Sequence, residues 1–319
     1  MKLLVGIDGG GTKTDMVLCD SDGNVLKRCI GPATNPTSIT LHTAKSRLQE
    51  MLKGILEDHG ALQTPISGLY AGISGCGIPE NQQFFESAIR AMLPNGQHIF
   101  VGSDAINAIN SAIGTKDGLV AISGTGSCVY ARFAGQMHRA GGWGYLLGDE
   151  GSGYDLGRSA LVAALRAHDG RGSQTLLTEL CVRQLGKPVY DAIPELYRDG
   201  KRNIASFAPC LMQAAESGDT VALQLLCQSA KSLCETIVAA GRWLPEGIVK
   251  LVVMSGSVWS PGGYYETKIA QWLGRGYKLI RADKPPVYGS LVEAAYQAGI
   301  PVGEGFSDNF SRSDIKSIM

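Results

Sequence analysis

Two glycine-rich segments carry the residue types that bind phosphate groups. An apolar run at 3–7 enters Asp8-Gly9-Gly10-Gly11-Thr12-Lys13-Thr14, and a second run at 119–122 enters Ser123-Gly124-Thr125-Gly126-Ser127. Glycine lets backbone amides approach a ligand closely, and Ser or Thr hydroxyls add hydrogen-bond donors. A single segment of this kind is also typical of an ordinary hairpin turn. Because one stands at the head of each half of the chain, the pair predicts two lobes that hold one nucleotide.

The first segment also offers a carboxylate for a metal ion. Asp8 stands where the strand is predicted to end, and there it could hold Mg²⁺ through water beside bound phosphates; the alternative is a turn-forming Asp before glycine. The sequence is not a Walker A loop, and Thr14 occupies the third glycine position of GxGxxG, so P-loop and Rossmann folds are not predicted. The candidate phosphate contacts are Gly10, Gly11, Thr12, Lys13, Gly124, Thr125 and Gly126.

A second carboxylate, Asp104, follows the apolar segment 98–103. At the carboxyl end of a parallel strand it would face the region where α/β sheets bind ligands. There it could act as a general base toward a hydroxyl that attacks a phosphoryl group. An N-terminal cap of the following helix explains the residue equally well.

Residues 141–153 combine six glycines, Trp143 and the adjacent pair Asp149-Glu150. The indole could support the apolar face of a pyranose while Asp149 accepts hydrogen bonds from its hydroxyls. A glycine-rich hairpin with a core Trp is the alternative, but so many glycines are costly to order without a reason. Asn35 fits a sugar contact or an Asx turn, and Gly256-Ser257 fits an adenosine-binding loop or a plain turn.

Composition narrows the function class. The 319 residues include 29 basic and 29 acidic side chains, so the formal net charge is zero. The sequence has no cluster of basic residues of the kind that would indicate nucleic-acid binding. No apolar run approaches the ~20 residues of a membrane span, and the N-terminus lacks signal-peptide features. The eight scattered cysteines show no CxxC pair, which predicts free thiols in a cytoplasmic protein.

The elements that must position these residues form an α/β pattern in two halves. The strand and helix order βββαβαβα is predicted for 1–116, and 117–319 opens with three strands before a helical insertion. The boundary is expected near 114–118, and a last helix near 290–300 is expected to pack back on the first lobe. The polar segment 303–319 is expected to be loosely held.

The motifs GIDGGGTKT, ATNP, SDA, SGTGS, GGWG-x-x-x-GDEGS and SGSVW occur in this order. Together they resemble the N-acetylglucosamine kinase branch of the BadF/BadG/BcrA/BcrD-type ATPase family, within the actin/hexokinase/heat-shock-70 superfamily. The resemblance covers nearly the whole chain. It implies two RNase-H-like (actin-like ATPase) lobes, with ATP, Mg²⁺ and an amino sugar meeting in a cleft between them.

The resemblance also implies roles for individual residues. Asp104 matches the base toward the sugar 6-hydroxyl, and Gly256 and Ser257 match the adenosine loop. Cys128 is a further candidate sugar contact, although close relatives have Asn at its position. The remaining matches to sugar contacts are Asn35, Ser127, Gly142, Trp143, Gly144 and Asp149.

The function expected from these residues is phosphorylation of N-acetylglucosamine at its 6-hydroxyl, with N-acetylmuramic acid or glucosamine as open alternatives. A second hypothesis is an ATPase that activates a radical dehydratase through an iron–sulfur cluster bridging two subunits. A third is a catalytically silent sugar sensor. Related kinases are often dimers, so a homodimer is a further open expectation.

Overall fold

The computed structural model describes residues 2–58, 64–260 and 262–317. The chain divides into two compact units: unit 1 comprises Met1–Lys116 and Ala282–Met319, and unit 2 comprises Asp117–Arg281. The prediction assigned 117–319 to the second lobe but expected the last helix near 290–300 to pack back on the first lobe, and in the structure Ala282–Met319 belong to unit 1. None of the helices in the described ranges has the length and apolar character needed to cross a membrane.

Unit 1 contains a mixed five-stranded sheet with three helices along its first 116 residues. The strands are β1 (Leu3–Gly9), β2 (Lys13–Asp20), β3 (Val25–Pro32), β4 (Ile66–Ile73) and β5 (His98–Gly102), and the helices are α1 (Leu41–Asp58), α2 (Pro79–Met92) and α3 (Asp104–Ile113). The strand order is β3-β2-β1-β4-β5. The β1–β2 and β2–β3 pairs are antiparallel, whereas β1–β4 and β4–β5 are parallel. This confirms the predicted βββαβαβα order.

Unit 2 repeats this sheet and adds a helical insertion. Its strands are β6 (Gly118–Ser123), β7 (Ser127–Phe133), β8 (Gln136–Ala140), β9 (Lys250–Ser255) and β10 (Tyr277–Arg281), in the order β10-β9-β6-β7-β8. Between β8 and β9 lie α4 (Gly153–His168), α5 (Leu176–Leu185), α6 (Ile193–Ala205), α7 (Ala208–Glu216) and α8 (Thr220–Gly241), and α9 (Tyr264–Leu273) precedes β10. Short 3₁₀ helices cover Val189–Ala192 and Gly274–Gly276. The predicted pair of mixed α/β sheets is confirmed.

The sequence of β1 explains why it lies at the centre of its sheet. Successive side chains of a strand point to opposite faces, and both faces of this strand are covered. Val5 and Ile7 join the core cluster that includes buried residues of α1 and α2, while Leu4 joins the cluster on the other face. A continuous apolar run is what a strand buried on both faces requires.

The second face of the unit 1 sheet is covered by the C-terminal segment. Helix α10 (Pro286–Gln297) is buried from Val287 to Ala295 and packs on β1 and α3. It approaches α3 so closely that a Cβ on Gly289 would lie 1.9 Å from the backbone oxygen of Asn107. Helix α11 (Glu304–Ser317) follows and buries Phe306 and Phe310. The expectation of a loosely held tail is therefore wrong within this helix; residues 318–319 lie outside the described residues.

Candidate active site

The predicted site residues of unit 1 meet at the end of β1 and the start of α3. Asp8 Oδ1 accepts a hydrogen bond of 2.8 Å from Asn107 Nδ2. The same amide also reaches the backbone oxygens of Ile7 and Gly72, each at 3.2 Å, and thereby joins β1, β4 and α3. Asn107 thus fixes the Asp8 carboxylate at the C-terminal end of β1, where the first glycine turn begins.

Asp8 is a partly buried carboxylate with a raised pKa. Burial raises its pKa to about 6, the Asn107 hydrogen bond lowers it, and the negative charge of Asp104 raises it again. This effect of the Asp104 charge also means that the two carboxylates lie near each other. A partly buried anion beside a second carboxylate favours a cation next to it.

Asp104 occupies the first position of α3 and is held by hydroxyl groups. Ser103 caps the helix by accepting from Ala105 N at 3.2 Å and donates to Asp104 Oδ1 at 3.3 Å. Burial raises the pKa of Asp104, while hydrogen bonds from Ser103 and Ser74 lower it. The helix cap is thus Ser103, which leaves the Asp104 carboxylate available for chemistry.

Asn35 connects to this carboxylate through Ser74. Its Nδ2 donates to Ser74 Oγ at 3.4 Å, and Ser74 in turn hydrogen-bonds Asp104. Its Oδ1 accepts from the backbone amide and the hydroxyl of Thr37, each at 2.8 Å. The Asx turn considered for Asn35 is therefore present, and its amide nitrogen points toward the Asp104 network.

The first glycine turn leaves backbone amides open. Gly10 N donates to Lys13 O at 2.9 Å, and Gly9 O accepts from Ser74 N at 2.8 Å. Within the described part of the chain, the amides of Gly11 and Thr12 have no hydrogen-bond partner. Both amides are therefore available to donate hydrogen bonds to phosphate oxygens.

The donor set of unit 1 fits Mg²⁺ bound with a nucleotide. No group of three or more His, Cys, Asp or Glu residues in the described ranges could hold a metal by itself. Mg²⁺ usually takes one or two protein carboxylates and completes its shell with water and substrate phosphates. Asp8, partly buried and with only Oδ1 bound by Asn107, meets this requirement.

The second glycine turn is tied to the segments that flank it. Ser123 Oγ donates to Gly151 O and Ser127 Oγ to Glu150 O, each at 2.7 Å. Gly153 N donates to Gly124 O, also at 2.7 Å, so the turn is hydrogen-bonded to the first residue of α4. The hydroxyl of Ser127, a predicted sugar contact, thus supports the loop that holds Asp149.

Asp149 is buried and paired with a lysine from the helical insertion. Lys201 Nζ lies 2.6 Å from Asp149 Oδ2. A Cβ on Gly126 would stand 2.8 Å from each of these two atoms, so the turn admits only glycine without displacing the pair. Asp149 also has a φ of 60°, unusual for a residue other than glycine and a form of strain that often marks functional sites.

The remaining residues of the predicted sugar loop form a glycine-rich surface. Gly142 and Gly144 have φ values of 71° and 89°, and Cys128 Cβ lies 2.4 Å from where a Gly142 Cβ would be. Arg139 donates through Nε to Gly141 O at 2.9 Å, and its guanidinium lies 4.7 Å from the Trp143 ring centre. Trp143 is 68% exposed, so the alternative of a core tryptophan is wrong.

A cavity of about 340 Å³ lies beside the second turn, entirely within unit 2. Gly124, Thr125, Ser257 and Val258 line one part of it. Gly153, the end of α6 and the first half of α7 complete the lining; the residues from these two helices and the link between them are Arg202, Ala205, Ser206, Ala208, Pro209 and Met212. An apolar wall beside a glycine turn suits a nucleoside base next to its phosphates. Gly256, at φ 103°, precedes Ser257.

Four residues at these sites were not predicted. Ser74 and Asn107 support the unit 1 carboxylates, and Lys201 and Arg202 lie at the second turn and its cavity. Ser74 directly follows a buried strand, which is a usable sequence signal. The other three lie within helices, where nothing in the local pattern distinguishes them.

Comparison with known proteins places these features in a family. The sequence profile of the BadF/BadG/BcrA/BcrD ATPase family matches residues 5–277. An N-acetylmuramic acid/N-acetylglucosamine kinase of Clostridium acetobutylicum is 33% identical over 302 residues, covering 92% of this chain and 98% of that protein. An N-acetyl-D-glucosamine kinase of Dictyostelium discoideum is 31% identical over 250 residues, covering 74% and 78%.

A solved structure has the same fold. The crystal structure of a candidate N-acetylglucosamine kinase from Chromobacterium violaceum superposes with a TM-score of 0.68 at 26% identity, covering 92% of this chain and 98% of that one. The similarity thus extends over both units rather than one motif. With the profile spanning most of the sequence, the chain belongs to the BadF/BadG/BcrA/BcrD ATPase family.

Proposed function

We propose that this protein is an ATP-dependent amino-sugar kinase that transfers the γ-phosphoryl group of ATP to the 6-hydroxyl of N-acetylglucosamine. N-acetylmuramic acid and glucosamine are further candidate acceptors. The relatives named as kinases of these sugars support the proposal, since two of them are 33% and 31% identical to this chain. The proposed enzyme works in a reducing cytoplasm, in keeping with eight free cysteines.

The observation that carries the proposal is the environment of Asp104. Its carboxylate is partly buried and has a raised pKa, and it is held by hydrogen bonds from Ser103 and Ser74. Raised basicity suits a general base that takes a proton from a substrate hydroxyl. In the proposed reaction the 6-hydroxyl proton passes to Asp104, the sugar oxygen bonds to the γ-phosphorus, and the bond to the β-phosphate oxygen breaks to release ADP.

Other residues bind and orient the two substrates. The open amides of Gly11 and Thr12 and the turn at Gly124–Gly126 are the proposed phosphate contacts, and the cavity beside Ser257 takes the adenosine. Asn35, Ser127, Gly142, Trp143 and Asp149 are the proposed sugar contacts. Mg²⁺, held by Asp8 through water, would neutralise phosphate charge when bound.

The dehydratase-activator hypothesis finds less support. Cluster ligation requires thiolates at an accessible surface. Cys76, one of the two cysteines beside a glycine-rich turn, is fully buried, and burial raises its pKa to about 12. The buried, strained Asp149 and the basic Asp104 also argue for chemistry rather than for a silent sensor.

The test is ADP release by purified protein with MgATP. The acceptors are N-acetylglucosamine, N-acetylmuramic acid, N-acetylmannosamine, glucosamine and glucose, together with a reaction lacking sugar. We expect strong turnover with N-acetylglucosamine and little without sugar. Sugar-independent hydrolysis alone would point to an activator ATPase, and no turnover with any acceptor would contradict the kinase proposal.

A further inference from the structure

The two glycine turns differ in the cation that each has available. The first turn contains Lys13 within its own sequence, whereas the second, Ser123-Gly124-Thr125-Gly126-Ser127, has no charged residue. Phosphate binding in a P-loop or kinase site combines backbone amides with a lysine or arginine. The second turn therefore needs a cation from elsewhere if it holds phosphates.

Lys201 supplies a cation at this place. Its Nζ would lie 2.8 Å from a Cβ on Gly126, so the ammonium group lies directly against the turn. Asp149 Oδ2 is its hydrogen-bond partner among the residues the structure describes. An ammonium group has three donors, so further donors are available to a phosphate oxygen.

The chain around Lys201 is shaped to bring it there. Gly200 interrupts α6 with φ 69° and ψ −153°, a conformation that is essentially restricted to glycine. After this kink, Lys201 reaches the turn while Arg202 lines the neighbouring cavity. One short segment thus contributes to both the predicted phosphate and nucleoside positions.

We infer that Lys201 binds the phosphates of the nucleotide at the second turn and at the same time positions Asp149 for the sugar. Lys201 therefore couples the two substrates through one ammonium group. This inference rests on the proposed function, because Asp149 is the proposed sugar contact.

The coupling has a definite sign. The ion pair with Lys201 neutralises Asp149 and occupies Oδ2. Phosphates that share the ammonium charge leave the Asp149 oxygens better able to accept from sugar hydroxyls. Nucleotide thus strengthens sugar binding, and reciprocity requires sugar to strengthen nucleotide binding by the same factor.

Calorimetric titration of the full-length protein tests both parts. In the wild type, a saturating non-hydrolysable ATP analogue should tighten N-acetylglucosamine binding by about fivefold or more. In Lys201→Met this factor should fall to near one. ADP affinity should fall about tenfold or more in this variant, whereas adenosine, which has no phosphate, should bind as in the wild type.

Two further variants separate a phosphate contact from damage to the fold. Lys201→Arg keeps the charge and should retain most of the ADP affinity. Lys187→Met, which removes another lysine of the same insertion paired with Glu195, should change none of the affinities. The inference is overturned if Lys201→Met weakens adenosine and ADP equally, leaves ADP affinity intact, or preserves the coupling.

Failure of the proposed function gives a different result. A wild type that binds ADP but turns over none of the sugars contradicts the kinase proposal. The ADP and adenosine affinities of Lys201→Met still decide whether Lys201 binds phosphate, because neither measurement uses a sugar. A wild type that turns over sugar without any coupling between the ligands contradicts the inference alone.

Discussion

The two units have the same sheet but different chemistry at corresponding turns. In each, a central strand pairs with one antiparallel neighbour and one parallel neighbour, and a glycine turn follows it. The turn of unit 1 begins with the partly buried carboxylate of Asp8, near Asp104. The turn of unit 2 has neutral hydroxyls and receives the Asp149–Lys201 pair.

This difference shows how a repeated architecture can take on separate roles. The sheet places a glycine turn at the same position in each unit, where the strand ends and amides are open. The side chains around the turn then set its electrostatics: carboxylates with raised pKa values in unit 1, and a compensated ion pair in unit 2. Unit 1 is thereby suited to proton transfer and a cation, and unit 2 to anionic and hydroxyl-bearing ligands.

The largest expected effect comes from removing the base of unit 1. Asp104→Asn should lower kcat by about 10²–10⁴-fold, because the amide cannot accept the hydroxyl proton. Affinities for ADP and N-acetylglucosamine should change little, since the shape of the side chain is kept. Asp283→Asn, at an exposed carboxylate of the same unit, is the matched control. A near wild-type kcat in Asp104→Asn would show that Asp104 is not the general base.

A second experiment compares the glycines of the two turns. An added methyl group at Gly126 would lie 2.8 Å from Asp149 Oδ2 and Lys201 Nζ, whereas at Gly11 its nearest neighbour would be 3.5 Å away. Gly126→Ala should lower the free energy of unfolding by about 1–3 kcal/mol, and Gly11→Ala by no more than about 0.5 kcal/mol. Urea unfolding measures both, and equal losses would contradict the described difference.

A third experiment tests how far the negative charge of Asp8 lowers the free energy of unfolding. Because burial raises the pKa of Asp8 from 3.8 to about 6, the folded wild type loses stability as the pH rises from about 4 through 6, and the full loss is present above that range. Asp8→Asn should therefore be more stable than the wild type by about 2 kcal/mol at pH 8, while losing activity. Below about pH 4 the carboxyl is protonated in the folded and the unfolded chain alike, so the gain should largely disappear there. A gain that is independent of pH would assign the effect to something other than charge.

The smallest expected effect is a pH dependence confined to the carboxylate unit. Asp8 and Asp104 both have raised pKa values and are required in ionised form, so kcat/KM should fall as the pH falls through about 6. Ionisation of Asp8 alone predicts about a tenfold loss for each pH unit below this value, and the second required ionisation, that of Asp104, makes the loss steeper at lower pH. Adenosine binding, assigned to unit 2, should stay constant over the same range, and a parallel loss would break the distinction between the units.

Local sequence patterns were sufficient for most of the fold. The apolar runs before each glycine turn identified β1 and β6, and the alternation of strands and helices gave the order in unit 1. The prediction for the tail was wrong because its composition is mostly polar. Its two aromatic residues, Phe306 and Phe310, become buried only because the C-terminal segment packs against the first strands of the chain.

The candidate site was predicted unevenly for the same reason. Asp8, Asp104 and Asp149 were identifiable because each stands at a sequence position where a strand or glycine segment ends. Asn107 and Lys201 lie within helices, and their role depends on partners 99 and 52 residues away. No local periodicity contains that information.

The sequence by itself determined the strands, the two turns and the carboxylates that accompany them, because these follow from short-range hydrophobic and backbone preferences. The tertiary structure alone decided which groups surround each carboxylate. It placed Asn107 on Asp8, Ser74 beside Asp104 and Lys201 on Asp149. The physical reason is that burial and charge pairing depend on segments distant in sequence, and these set whether a carboxylate acts as a base or as half of an ion pair.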